Sequence, residues 1–212
     1  MSESSSDKIA RIISALDGLY CAGEWWEADS AEEVMIGAIL TQQTRWVNVK
    51  SAISRLKEHN MCSLADIHSA DSRVIEELIR STGYFRQKTR RLKLLADFVV
   101  VTHGGTANLE KMATSKLRKE LLSVNGIGEE TADSILGYGF GRDCLVIDAY
   151  TQKIFSCAGI AESGDELRRA FEDAVPNTPS AKRRIHGHLV EYAKEFCNKS
   201  RCEECVIRSL HE

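Results

Sequence analysis

Two glycines near the middle of the chain constrain its fold more than any other feature. Gly126 and Gly128 enclose one apolar residue, Ile127, between two runs whose apolar side chains follow helical spacing. The first run holds Leu121, Leu122 and Val124, and the second holds Thr131, Ala132, Ile135 and Leu136. A residue without a Cβ lets the backbone turn sharply and approach another molecule closely. The stretch predicts two helices joined by a tight turn, with outward N–H groups that suit an anion such as phosphate.

Helical periodicity continues along most of the chain. Apolar side chains recur every three or four residues over 92–99, 167–174 and 185–196. Residues 34–40 are apolar on every face, which indicates a helix buried within a bundle, with Asp29 or Ser30 as its N-cap. No alternating run is long enough to suggest a β-sheet. The predicted fold class is all-α.

Composition excludes several classes of protein. A length of 212 residues suits one domain or two small interlocked ones. The hydrophobic content of 43% is enough to build a core. No stretch approaches the roughly 20 apolar residues of a membrane span, and the polar start lacks the apolar core of a signal peptide. We therefore expect a cytoplasmic prokaryotic protein that does not enter membranes, and nothing in the sequence demands more than a monomer.

The hairpin residues, together with Thr131-Ala132 and Ile147-Asp148, resemble the helix-hairpin-helix motif of endonuclease III-type DNA glycosylases. In that superfamily an aspartate follows the hairpin, and here Asp148 lies 20 residues after Gly128. Coverage extends from about residue 25 to the C-terminus. Trp25-Trp26, the run AILTQQTRW (38–46) and IDAYT (147–151) resemble the endonuclease III-related branch that includes 3-methyladenine glycosylase III.

The resemblance implies two helical lobes with a cleft between them. Residues 29–138 form the lobe with the hairpin, residues 1–28 and 139–196 form the lobe with the catalytic aspartate, and 197–212 form a cysteine-rich loop. The partner implied is double-stranded DNA with a damaged base. Since the net charge is −3, binding would depend on one basic face rather than on the whole chain.

Asp148 is the predicted catalytic residue. A carboxylate stabilises the sugar cation that develops as an N-glycosidic bond breaks, and it also orients or deprotonates the attacking water. As a lone residue Asp148 would be interpreted as a helix N-cap. Superfamily members that also cleave the strand carry a lysine two residues after the second glycine, where this chain has Glu130. A carboxylate cannot form an imine, so a monofunctional enzyme with weak or absent lyase activity is predicted.

A base within a duplex must be flipped out before it can be excised. The resemblance makes Gln43 a wedge that enters the vacated space and places Tyr84 and Phe85 against the opposite strand. Trp25, Trp26 and Trp46 are predicted to line the base pocket, where an aromatic face attracts an electron-poor methylated purine. Core packing is the alternative for all five aromatic residues.

Basic side chains next to the hairpin predict a strip that binds the DNA backbone, namely Arg86, Lys88, Arg90 and Arg91. A second cluster comprises Lys182, Arg183 and Arg184. Such clusters, taken alone, are more often solvated helix faces. The acidic residues beside the hairpin leave binding to its backbone N–H groups, with a monovalent cation as a further candidate there.

Seven cysteines, an odd number, argue against a closed disulfide framework. Four scattered ones, Cys21, Cys62, Cys144 and Cys157, are predicted to be small buried hydrophobes. The tail has Cys197, Cys202, Cys205 and His211. Endonuclease III relatives often end in four cysteines that hold a [4Fe–4S] cluster, but here one gap is shorter and the fourth position is histidine. A cluster, a zinc ion and a metal-free tail remain three alternatives.

The leading hypothesis is a base-excision glycosylase for alkylated purines such as 3-methyladenine. One alternative is an endonuclease III-like glycosylase for oxidised, deaminated or mismatched bases. The other is a non-catalytic module that uses the hairpin to bind damaged DNA, although a pure binder has no need of Asp148.

Overall fold

A computed structural model describes residues 3–21 and 25–210. These residues form helices and no β-strand, which confirms the predicted all-α class. The α-helices are, in chain order, α1 (Ser5–Leu19), α2 (Ala31–Leu40), α3 (Trp46–Glu58), α4 (Leu64–Ser69), α5 (Ser72–Leu78), α6 (Phe85–Asp97), α7 (Thr106–Glu110), α8 (Thr114–Ser123), α9 (Glu129–Ser134), α10 (Ala149–Cys157), α11 (Gly164–Ala174), α12 (Pro179–Tyr192) and α13 (Val206–Ser209). In the part of the chain described, no helix is both long enough and apolar enough to cross a membrane.

Several helices continue into turns of different pitch. A π-helical turn extends α6 over Phe98–Thr102, α9 over Ile135–Gly139 and α12 over Ala193–Cys197. Short 3-10 turns lie at Arg80–Thr82 and Cys202–Glu204. The three predicted apolar stripes fall on α6 with its π-helical extension, on α11, and on α12 with its π-helical extension, so these helices are confirmed.

The chain divides into two compact units. The first unit combines Met1–Glu27 with Asp143–Glu212. Its core is built from apolar faces of α1, α10, α11 and α12, and the Phe155 and Phe171 rings meet edge to face with centroids 5.0 Å apart. This core fixes the start of α10 and one face of α12, which carry the residues considered next.

The second unit is Ala28–Arg142, and α2 is its central helix. Every residue from Glu33 to Leu40 is buried, as expected for a helix that is apolar on all faces. Of the two predicted N-caps, Ser30 has this role, because its hydroxyl accepts a hydrogen bond from the N–H of Glu33 at 3.1 Å. The π-helical turn after α9 packs on α2, which joins the hairpin to this core.

Candidate active site

Asp148 in the first unit is the N-cap of α10. Its Oδ1 accepts hydrogen bonds from the backbone N–H of Thr151 at 2.7 Å and from the Thr151 hydroxyl at 2.8 Å. The residue is only 7% exposed. Asp148 therefore acts as a helix N-cap, which is the ordinary role of a lone aspartate. Capping uses only Oδ1 and leaves Oδ2 for another interaction.

His186 on α12 lies next to that second oxygen. Its Nε2 is 3.6 Å from Oδ2 of Asp148, and both side chains are buried. Burial raises the pKa of Asp148, but His186 and the two hydrogen bonds from Thr151 lower it, and the net pKa lies below the usual value of a carboxylic acid. The unit thus holds an ionised carboxylate in a desolvated position.

Trp25 adjoins this histidine. The Trp25 and His186 rings meet edge to face with centroids 5.4 Å apart, and Trp26 lies edge to face against Trp25 at 6.1 Å. Gly187 permits the close approach, because a Cβ at this position would lie 2.7 Å from the Cβ of Trp25. Trp25 is therefore linked to Asp148 through His186, while Trp46 belongs to the second unit as the first residue of α3.

The Trp25 ring already has polar neighbours. Its Nε1 donates a hydrogen bond to Glu191 at 2.8 Å, and the ammonium of Lys194 lies 5.1 Å from the ring centroid. Because Lys194 already makes a cation–π interaction with one face of the ring, a cationic base would be attracted less strongly to that face. If Trp25 stacks on a base, the face away from Lys194 is the favourable one.

The hairpin of the second unit depends on a left-handed glycine. Gly126 has φ +94°, which side-chain-bearing residues rarely adopt, and the N–H of Ile127 donates to the carbonyl of Val124 at 3.0 Å. A Cβ at Gly126 would lie 2.6 Å from Cγ of Arg91, whereas one at Gly128 would meet nothing within 4 Å among the described residues beyond its chain neighbours. Of the two hairpin glycines, Gly128 is therefore the one with open space beside its Cα.

Gln42 ties the hairpin to the rest of the unit. Its Nε2 donates to the Gly126 carbonyl at 3.0 Å and to the Thr131 hydroxyl at 3.1 Å, and its Oε1 accepts a hydrogen bond from Arg91. Sequence reasoning selected Gln43 from the same run and missed Gln42. Helical spacing does not distinguish two adjacent glutamines at the end of a helix, so no sequence signal separated them.

A buried ion pair holds the second helix of the hairpin. Asp133 is fully buried and accepts two hydrogen bonds from the Arg118 guanidinium, at 2.7 Å and 3.1 Å. Glu129 and Glu130 are exposed in the first turn of α9, where the helix dipole favours negative charge. Glu130, at the position where the lyases have lysine, thus has a stabilising role of its own.

Two predicted wedge residues and the hairpin line one cavity of about 440 Å³ in the second unit. Gln43, Tyr84 and the segment 128–131 contribute to its wall. Gln43 and Tyr84 both have left-handed backbones, with φ +54° and +45°, and Tyr84 is 65% exposed. Non-glycine residues held in this conformation cost about 1–3 kcal/mol and concentrate at functional sites.

Phe85 differs from its neighbour Tyr84. It is half-buried, and the guanidinium groups of Arg80 and Arg86 lie 5.3 Å and 5.9 Å from its ring centroid. Within the second unit, the Phe85 ring thus packs beneath these two guanidinium groups.

The predicted basic strip needs correction at two positions. Lys88 is 1% exposed, and its ammonium donates to the carbonyls of Leu40 at 2.9 Å and Thr82 at 2.8 Å. Arg91 is half-buried and bonded to Gln42, which leaves only Arg86 and Arg90 exposed. Lys88 lies four residues before Leu92 in the buried stripe of α6, so its burial could have been predicted from the periodicity.

The second basic cluster is also engaged within its own unit. Lys182 is buried and lies 2.6 Å from a carboxylate oxygen of Asp143, and Arg184 pairs with Asp17. Nδ1 of His188 lies 3.0 Å from the same carboxylate of Asp17.

Comparison with known proteins identifies the family. A model of the HhH-GPD superfamily base excision DNA repair proteins matches residues 36–177. The chain is also 39% identical to the "putative DNA repair glycosylase MJ1434" of Methanocaldococcus jannaschii, over 99% of this chain and 98% of that protein. The chain belongs to the HhH-GPD superfamily. It is a DNA repair glycosylase of that superfamily, which confirms the resemblance found in the sequence.

Other HhH-GPD proteins show the same relationship. Endonuclease III of Thermotoga maritima is 27% identical over 83% of this chain and 80% of its own. The crystal structure of H. pylori 3-methyladenine DNA glycosylase bound to 1,N6-ethenoadenine has a TM-score of 0.78 and 28% identity, covering 91% of this chain and 98% of that one. A non-covalent endonuclease III–DNA complex has a TM-score of 0.81 at 19% identity, which shows a common fold.

The cysteine-rich tail of this HhH-GPD chain does not form a metal site from its described residues. His211 lies outside them, and over 3–21 and 25–210 no three His, Cys, Asp or Glu side chains are grouped as metal ligands. Cys205 Sγ instead accepts a hydrogen bond from the Tyr192 hydroxyl at 3.1 Å. Burial raises the pKa of the Cys197 thiol. The described residues thus show no metal site, and no chemistry is assigned to a cluster or to zinc.

The remaining cysteines are less buried than predicted. Cys21 and Cys157 are exposed, and Cys62 and Cys144 are half-buried. The prediction that all four are buried was therefore wrong. Residue type alone favours burial of cysteine, but Cys21 follows the end of α1 and Cys157 is the last residue of α10, where the chain is at the surface of its unit.

Proposed function

We propose that this HhH-GPD protein is a monofunctional glycosylase that removes alkylated purines, such as 3-methyladenine, from double-stranded DNA. The observation that carries the proposal is the buried, ionised carboxylate of Asp148 beside His186. The 28% identity with H. pylori 3-methyladenine DNA glycosylase supports the substrate class.

The geometry around Asp148 suits cleavage of an N-glycosidic bond. Departure of the base leaves positive charge on the sugar, and a fixed carboxylate stabilises that charge without having to reorganise. Desolvation makes the attraction stronger than it would be in water. Because Oδ1 is held by Thr151, Oδ2 is the oxygen that would face the sugar or orient the attacking water. His186 would orient Oδ2 and, when protonated, favour its ionised form.

The second unit would bind and open the duplex. The N–H groups at the start of α9 are candidates for a phosphate, and Gly128 leaves room for its approach. Gln43 and Tyr84 would enter the space left by the flipped nucleotide, since they project at the cavity next to the hairpin. Trp25 would contact the flipped base, with Trp26 packed against its edge.

The absence of strand cleavage is proposed from the residue at position 130. Bifunctional enzymes attack the sugar with an amine and release the base through a Schiff base. Glu130 cannot do this, so water is the nucleophile and the product is an intact strand with an abasic site. Glu130→Lys tests the argument, because an amine in this position is expected to give a covalent adduct that borohydride traps.

The decisive experiment is a base-release assay on duplexes with alkylated, oxidised, deaminated or mismatched bases, each read with and without alkali. We expect release of an alkylated purine and strand cleavage only after alkali. Asp148→Asn is the matched variant, because asparagine also caps helices well and preserves the fold. Loss of an electrostatic group at the reacting centre is expected to slow release by about a hundredfold or more. Unchanged release by Asp148→Asn would contradict the proposed role of the carboxylate.

The same assay separates the alternatives. The 27% identity with Thermotoga maritima endonuclease III supports a glycosylase for oxidised, deaminated or mismatched bases, which would release those substrates instead. A non-catalytic module would bind damaged duplexes tightly and release no base from any of them.

A further inference from the structure

Lys88 is a buried cation that the proposed chemistry leaves unused. Its ammonium donates to two neutral groups, the main-chain carbonyls of Leu40 and Thr82. Burial, with a smaller effect of the like charge on Arg91, lowers the pKa of Lys88 to about 8. Burying an ammonium group without a carboxylate partner costs free energy. Residues whose burial conflicts with their charge in this way are expected mainly at functional sites.

The two carbonyls lie just before the two predicted wedge turns. Leu40 ends α2, and the chain continues through Thr41 to Gln43. Thr82 ends the 3-10 turn after α5, and the chain continues through Gly83 to Tyr84. One ammonium therefore connects the bases of two turns whose left-handed residues line the same cavity.

The next turn of α6 connects to the hairpin in a similar way. Arg91, three residues after Lys88, bonds to Gln42, and Gln42 bonds to the Gly126 carbonyl and to Thr131. One face of α6 thus contacts three segments that line the cavity: the Gln42–Gln43 turn, the Tyr84 turn and the hairpin.

We propose that Lys88 is a positioning residue for duplex opening, which holds the Gln43 and Tyr84 turns at the separation needed to enter the DNA stack. The inference rests on the proposed function. It predicts that loss of Lys88 impairs unstacking of the target nucleotide and leaves bond cleavage, once the base is flipped, largely unchanged.

The test compares Lys88→Met with Lys93→Met. Lys93 is a matched control on the same helix, because its ammonium also donates to two main-chain carbonyls, those of His68 and Ala70, but does not line the cavity. The probe is a duplex with 2-aminopurine beside a tetrahydrofuran abasic site, whose fluorescence rises when the neighbouring base is unstacked. Loss of a charge-assisted hydrogen bond is worth about tenfold in an equilibrium, so we expect Lys88→Met to weaken unstacking about tenfold and Lys93→Met to change it less than about twofold.

Single-turnover release separates opening from chemistry. With Lys88→Met we expect a slower rate on a fully paired lesion and near-normal rates when the lesion is mismatched, since opening then costs less. Equal unstacking by Lys88→Met and wild type, or equal losses in the two lysine variants, would overturn the inference. If the wild-type protein neither releases a base nor unstacks the probe, the proposed function itself has failed.

A pH titration of the wild-type protein decides the question if Lys88→Met does not fold. The charged or titratable groups around Lys88 lie on α6, in the turn that ends at Thr82 and at the cavity, namely Arg91, Arg80, Tyr84, Glu129 and Glu130. The acidic residues of α2 lie in the first turn of that helix, at the opposite end from Leu40. A decrease in 2-aminopurine fluorescence with a midpoint near pH 8, retained in Lys93→Met, supports the role of the ammonium. A constant signal between about pH 7 and 9 refutes it.

Discussion

The two hairpin glycines should respond differently to the same substitution. In Gly126→Ala the new methyl group would lie 2.6 to 2.8 Å from three atoms of Arg91, at a backbone φ of +94°. In Gly128→Ala the backbone has φ −93° and ψ −178°, which alanine adopts readily, and the methyl group would point into open space. Comparing the two variants therefore separates the effect of a hairpin glycine on folding stability from its effect on DNA binding.

The expected magnitudes follow from these contacts. For Gly126→Ala, backbone strain costs about 1–3 kcal/mol, and displacing Arg91 from Gln42 costs about another 1 kcal/mol. A total of about 2–4 kcal/mol lowers the melting temperature by about 5–15 °C for a chain of this length. Gly128→Ala removes only a modest N-cap preference, worth less than about 1 kcal/mol, which shifts the melting temperature by at most a few degrees.

Thermal unfolding followed by circular dichroism measures stability, and fluorescence anisotropy with a duplex containing an abasic-site analogue measures affinity. Gly128→Ala should retain its melting temperature but lose about tenfold or more in affinity, since a methyl group then separates the backbone from a phosphate. An unchanged melting temperature in Gly126→Ala would refute the strain argument. Unchanged affinity in Gly128→Ala would refute the assignment of this open side to DNA.

Three further predictions concern the buried groups. Gly187→Ala pushes a methyl group against Trp25, so base release should fall about tenfold and tryptophan fluorescence should change, while the better helix propensity of alanine offsets part of the cost in stability. Asp133→Asn removes the buried partner of Arg118, and urea unfolding should show a loss of about 2–3 kcal/mol, less than for a fully buried pair because Arg118 is partly exposed. The lowered pKa of Asp148 means that its ionised form contributes stability above the ordinary pKa of aspartate, and this contribution is lost as pH falls through the lower folded value. The acidic decline of base release should therefore begin only below pH about 4, and an acidic decline with a midpoint above that pH would contradict the assignment.

Helical structure was predictable because periodicity reports directly on which side chains are buried. The run 34–40 predicted a helix apolar on all faces, and α2 has this property; the stripes at 92–99 and 167–174 likewise became buried faces of α6 and α11. The π-helical turns were not predictable, because inserting one residue per turn changes apolar spacing too little to be distinguished from an α-helix.

The geometry of the candidate site was predictable only where residues adjacent in the sequence determine it. The turn at Gly126 was predictable because its geometry depends on adjacent residues, whereas Asp148 was selected through the family resemblance and its distance from Gly128 in the sequence. His186 was not identified from the sequence, since its contact with Asp148 joins positions 38 residues apart that no periodicity relates. Lys88 illustrates the opposite error, because a basic cluster suggested exposure although the helical stripe on which it lies indicated burial.

Asp148 shows why capping and catalysis are not competing interpretations of one aspartate. An N-cap accepts hydrogen bonds from the start of its helix, which fixes the side-chain rotamer and holds the carboxylate in one orientation. A catalytic carboxylate needs the same immobility, because stabilisation of a developing cation depends on a charge that does not have to reorganise. Burial alone would raise the pKa and neutralise the group, and the hydrogen bonds of the cap, together with His186, oppose that effect. The cap is therefore part of what keeps Oδ2 charged and available, so Thr151→Val, which removes the hydroxyl donor and keeps the backbone N–H, should raise the pKa of Asp148 and move the acidic limb of base release to higher pH.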